Sequence, residues 1–187
     1  ECGSTATDYE PYTESTATLP YTLNAIPVTS GGNVTIDGQQ YIADYVDVER
    51  GKLVTLIQAY KPTTCTEKDS STNELFQFGK GMYEYSRFGL CNMLPITDGA
   101  ESAVKMPAAF YFTGDYNLWC KIPQLTADST VDDATAWAKQ YKPVFYGVLA
   151  TLTETDLTAD EIAAFKALVS YYPVTNVSTT SDQLDGY

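Results

Sequence analysis

Histidine is absent from the 187-residue chain. Its absence removes the commonest general base near neutral pH, and with it the Ser-His-Asp and Cys-His nucleophile systems. The four cysteines (Cys2, Cys65, Cys91 and Cys120) show no C-x-x-C pairing. Without histidine or ligand spacing, zinc is not expected, and no other cofactor is implied. Basic residues are also scarce: 11 Lys and Arg stand against 24 Asp and Glu, for a net charge of -13. Phosphate backbones and anionic bilayers repel such a chain, so nucleic acids and membranes are not expected partners. No apolar run approaches the length that spans a bilayer, and no secretory signal is present. The chain opens at Glu1 without an initiating Met, so it is expected to be a segment of a longer protein.

The apolar share of 44% is enough for a core that needs no staples, so the cysteines are expected to be free thiols, mostly buried. Fifteen tyrosines add rings suited to half-buried sheet faces. Residues 1–18 are polar at the outset and read as the end of a preceding module plus a linker; 19–187 read as one β-rich domain. Within it, Asp37-Gly38 signals a hairpin between Val34–Asp37 and Gln40–Val48, and Arg50-Gly51 turns the chain into Lys52–Tyr60, which Pro62 ends, completing a β-meander. Lys61–Glu74 is a polar loop of weak structural content, and Phe76–Leu94 is expected to hold two irregular strands. Ala108–Thr113 and Asn117–Ile122 form a second hairpin, turning at Gly114-Asp115.

Two helices follow. Thr130-Val131-Asp132-Asp133 resembles a capping box, and Val131, Ala134, Trp137, Ala138 and Tyr141 share one face of a helix over 130–142. Thr158-Ala159-Asp160-Glu161 is a second box, opening a helix over 158–172 whose stripe is Ile162, Phe165, Leu168, Val169 and Tyr172. Between them Val144–Thr153 reads as a central buried strand. The fold class is therefore mainly β (α+β), a β-sandwich or curled antiparallel sheet carrying two packed helices.

Chemistry-bearing groups are few. Asp44, Asp47 and Glu49 are the densest carboxylates, but strand alternation sets Asp44 on the face opposite the other two, so a solvated strand edge is the expectation. Gly31-Gly32 and Gly79-x-Gly81 lack a following helix and Lys, so they are turn glycines and no phosphate cradle. Asp128, Asp132 and Asp133 lack the spacing of a calcium loop. The remaining candidate ligand site is aromatic: Tyr111, Asp115, Tyr116, Asn117 and Trp119 surround the second hairpin's turn. Tyr111 and Trp119 sharing an exposed face would stack a sugar, with Asp115 and Asn117 bonding its hydroxyls. The competing arrangement puts Phe110, Phe112, Leu118 and Ile122 in one layer and buries Tyr111 and Trp119 in a second.

Several segments carry a resemblance. Gly3–Tyr12 (GSTATDYEPY), Leu19–Pro27 (LPYTLNAIP), Gly38–Val54 (GQQYIADYVDVERGKLV), Phe145–Leu168 and Tyr171–Thr180 (YYPVTNVSTT) are similar to stretches of modular tail proteins from phages and prophages of Gram-positive gut bacteria. None of these segments is a catalytic motif. The resemblance implies a non-enzymatic structural or interaction domain, placed in the virion tail after assembly in the host cytoplasm. It implies other tail proteins as partners, with homotrimerisation in reach. The alternative function is a glycan-binding module recognising a bacterial surface polysaccharide. The loop Lys61–Glu74 and the stretch Phe76–Pro107 match less well and are where host specificity would be sought.

Overall fold

Asp37 and Gly38, at φ 49° and 84°, make the left-handed two-residue turn that suits the natural twist of a hairpin. In the computed structural model, which describes residues 20–168, strand β2 (Val34–Ile36) returns through this turn as β3 (Gln39–Ala43). Strand β1 (Ala25–Val28) pairs with the other side of β3, giving a small antiparallel sheet ordered β1-β3-β2. The stretch read as one strand from Gln40 to Val48 does not stay in this sheet. It breaks at Asp44, and β4 (Tyr45–Asp47) joins a second sheet with β5 (Lys52–Tyr60), β8 (Tyr85–Cys91) and β11 (Phe145–Asp156), ordered β4-β5-β11-β8. The expected meander is thus divided between two sheets.

Asp44 causes the break, and it overturns the solvated-edge expectation for that residue. Strand β4 pairs with β5 only as far as Val54, opposite Tyr45. Beyond that point the carboxylate replaces a strand: Oδ1 accepts from Leu56 N at 2.8 Å and Ile57 N at 2.9 Å. Oδ2 accepts from Asn24 N at 2.9 Å and Asn24 Nδ2 at 3.1 Å. The residue is 6% exposed, and its lone pairs are used on backbone and amide donors that burial would otherwise strand.

The third sheet is ordered β6-β7-β10-β9, from β6 (Glu67–Lys68), β7 (Leu75–Gly79), β10 (Leu118–Lys121) and β9 (Ala109–Phe112). Here the predicted second hairpin forms, and the loop read as structureless contributes the two residues of β6. The main core lies between the second and third sheets. Phe76, Phe78, Phe88, Phe110 and Phe145 meet in it, with Phe110 and Phe145 edge to face at 5.3 Å. Helix α2 (Val131–Tyr141) contributes Ala134, Trp137 and Ala138 to the same cluster. Its capping box is formed as read, Thr130 Oγ1 accepting from Asp133 N while Asp133 accepts from Thr130 N, and Lys142 in the left-handed region ends it before Pro143. A smaller cluster of Ile26, Ile42, Ile57 and Val148 joins the first sheet to the second, making the architecture layered and mainly β.

Two expectations about the C-terminal part are corrected. Strand β11 is buried only near its start; every residue from Ala150 to Asp156 is exposed, because past a bulge between Val148 and Thr153 it pairs with β5 alone. Helix α3 (Ala159–Ala167) keeps its Thr158–Glu161 capping box but has no buried residue. Phe165 is half-buried and belongs to none of the core clusters, so the stripe does not pack deeply on the sheet. The helix contacts the turn at Gly51, whose Cα faces Ile162, and Tyr21 donates to Glu161 at 2.7 Å. Val169 and Tyr172, like residues 1–18 and Cys2, lie outside the described residues.

Candidate functional site

Strand register places Tyr111 directly opposite Trp119, and Phe112 opposite Leu118, so the shared face expected from spacing exists. It is not open. A helix that sequence reasoning missed, α1 (Ala100–Lys105), lies on it: Tyr111 is buried at 7% exposure with Leu75, Ala103 and Ala109, and Trp119, Val104 and Met106 are half-buried against the same cluster. Burial pushes the Tyr111 hydroxyl up to about 12. On the opposite face Phe110, Leu118 and Ile122 enter the main core with Phe112 against them. The six residues of α1 begin after Gly99 without a side-chain cap and stop ahead of Pro107, so neither a capping signal nor a full period announced them.

The other three candidates stay at the hairpin tip. Asp115 is exposed, and Tyr116 adopts φ 60°, a left-handed conformation uncommon for an aromatic residue. Its ring leaves the Tyr111–Trp119 layer and packs on Phe112 at 6.2 Å and on Tyr83 at 4.8 Å. Tyr83 was missed. It lies in the β7–β8 loop, 69% exposed, and the sequence held no sign that this loop meets the β9–β10 turn. Two hydrogen bonds join the loops: Met82 N donates to Tyr116 O at 2.8 Å, and Gly81 N donates to Asn117 Oδ1 at 3.0 Å. The structure therefore brings together Asp115, Tyr116, Asn117 and Tyr83, and separates them from Tyr111 and Trp119.

The carboxylates considered for catalysis do not converge. Asp44 is internal, whereas Asp47 accepts from Arg50 N at 3.0 Å and Glu49 is exposed. Arg50 also pairs with Glu154 at 2.7 Å, Lys121 with Glu74 at 2.7 Å, and Lys52 with Asp156. Asp133, whose carboxyl is held below the usual range by the Thr130 amide and hydroxyl, is occupied as a helix cap. Among the described residues no three potential metal ligands cluster, and no helix is long and apolar enough to cross a membrane.

Cys65, Cys91 and Cys120 are free and buried in the main core, and burial raises all three thiols. An open apolar cleft of about 340 Å³ lies between Gly89–Cys91 and Leu94–Ile96, with Phe110 among the lining residues. Comparison of the chain with family models, with curated proteins and with solved structures finds no match in any of the three.

Proposed function

We propose that this chain is a non-catalytic interaction domain of a phage or prophage tail protein. On this reading it is assembled in the cytoplasm of a bacterial host, carried in the virion tail and engaged with other tail proteins, as a homotrimer in the assembled particle. The observation that carries the non-catalytic part is the use of the acidic side chains. Asp44 serves backbone amides, Asp133 and Glu161 cap helices, and Glu74, Glu154 and Asp156 hold basic residues. A carboxylate engaged this way is a poor general base, because taking a proton would break the contacts that position it. The tail assignment draws on the segment resemblances together with a layered, mainly β architecture suited to presenting loops.

The test is immunogold electron microscopy of particles induced from a host carrying the gene, with antibody raised against the chain. Gold on the tail is expected. Unlabelled tails in particles whose other tail proteins are detected would overturn the assignment. Hydrolysis of peptide, ester or glycan substrates that disappears in Asp47→Asn or Glu49→Gln would overturn the non-catalytic reading.

A further inference from the structure

We infer that Tyr83 and Tyr116, on two loops that also carry Glu84, Asp115 and Asn117, form a binding platform for the pyranose ring of a neutral saccharide. This rests on the interaction-domain reading and names a ligand class for it. Tyr83 is 69% exposed, the most exposed of the large apolar side chains among the described residues. Its ring meets Tyr116 at 4.8 Å and a 50° tilt, and most of its surface is left to solvent. An aromatic ring in this position normally costs free energy, since its apolar surface is left hydrated.

The loops are built to hold it there. Gly81 sits at φ 60°, and a Cβ at that position would come within 3.2 Å of the Tyr83 ring. Glycine takes that backbone angle at the least cost and leaves the ring its place, whereas a larger residue would be strained and would press on the ring. Tyr83 N donates to Gly81 O at 2.9 Å, and Tyr116, itself in the left-handed region, receives Met82 N through its carbonyl. Strain of this kind persists where the surroundings over-determine the backbone. Here they include the Phe112 ring beneath Tyr116 and the Gly81–Asn117 bond between the loops.

The surroundings select the ligand. A pyranose presents a C–H face that stacks on a ring, and a rim of hydroxyls that needs acceptors and donors. Asp115 and Glu84 are exposed carboxylates next in sequence to the two rings. Asn117 spends Oδ1 on Gly81, and its Nδ2 has no hydrogen bond to another described residue. Two exposed carboxylates next in sequence to the rings and a net charge of -13 disfavour phosphorylated or otherwise anionic glycans.

The experiment is saturation-transfer NMR on the full chain with chitohexaose, cellohexaose and a β-1,4-galactohexaose, and tetramethylammonium as a cation probe. At least one hexasaccharide is expected to bind through its C–H protons. Tyr83→Ala should weaken that binding about tenfold or more and leave the melting temperature nearly unchanged, while Tyr83→Phe should stay within about threefold. Tyr116→Gly relieves the left-handed backbone and removes the supporting ring, so it should lose affinity without losing stability. The inference is overturned if no hexasaccharide binds, if Tyr83→Ala binds as well as the wild type, or if only the cation binds. Tails that carry the domain but bind no saccharide would sink this inference alone. Saccharide binding with unlabelled tails would sink only the tail assignment.

Discussion

Replacing Asp44 tests whether one side chain joins two sheets. Its carboxylate takes four donors: the amides of Leu56, Ile57 and Asn24, and the Asn24 side chain. In Asp44→Ala all four lose their acceptor. Ile57 is 1% exposed, so its N–H bears the full desolvation cost, about 1–3 kcal/mol. Leu56 and Asn24 are half-buried and recover some water, which brings the sum to about 3–5 kcal/mol. Asp44→Asn retains one carbonyl oxygen for the Leu56–Ile57 pair but turns an NH2 group toward the Asn24 donors. It should cost about 1.5–3 kcal/mol. Urea unfolding followed by far-UV circular dichroism reads both losses, with the slope unchanged because the same surface is exposed. A loss below about 1 kcal/mol in the alanine variant, or equal losses in the two variants, would refute the reasoning.

Four further outcomes follow from the same geometry. Gly147→Ala places a Cβ 2.3 Å from the Tyr85 ring and 2.9 Å from Phe88 in the core, and should destabilise by about 1–3 kcal/mol in thermal unfolding. The lowered Asp133 carboxyl means its contribution is present above the ordinary carboxylate range and is lost as pH falls below that range through the depressed folded-state value. Helical signal from α2 should therefore decline on acidification, and Asp133→Asn should flatten that dependence. The raised Tyr111 hydroxyl favours the neutral form in the fold, so its contribution is present below the ordinary tyrosine value of about 10 and is lost as pH rises toward about 12. Absorbance titration should show several late-ionising tyrosines, Tyr21, Tyr60 and Tyr85 among them, and lose one of that group in Tyr111→Phe. Finally, a thiol reagent at neutral pH should leave Cys65, Cys91 and Cys120 unmodified in the native protein and label all three in urea, as mass spectrometry of their peptides will show.

Local chemistry was legible wherever a few neighbouring residues settle the backbone. Asp37-Gly38, Gly114-Asp115, the two capping boxes and Pro62 all act over two to four residues, and the turns, helix starts and strand end they mark stand where sequence reading put them, though the strand after Gly38 breaks at Asp44 and α3 ends at Ala167. Alternation failed at Asp44, because strand spacing cannot reveal that a carboxylate will satisfy amides twelve and thirteen residues away. The stripe of α3 misled for a related reason: Phe165 sits at a core-like spacing, yet depth depends on what lies opposite, and the helix meets the Gly51 turn and Tyr21 with none of its residues buried. At the candidate site, pairing of Tyr111 with Trp119 was readable from hairpin arithmetic, whereas α1 above them was not. Tyr83 was invisible because its partner Tyr116 is 33 residues distant and joins it only through a contact between loops.

Strand β11 divides the domain by how readily it opens. From Phe145 to Val148 its amides lie between β8 and β5, so their exchange with solvent requires opening of the sheet's interior. From Thr153 to Asp156 it hangs on β5 alone, flanked by the Arg50–Glu154 and Lys52–Asp156 pairs at the surface. Exposed pairs of this kind add little each and weaken as salt screens them. Ionic strength therefore reaches the fold at this outer arm first: deuterium should enter residues 153–156 faster at high salt, while 145–148 keep the protection of the core.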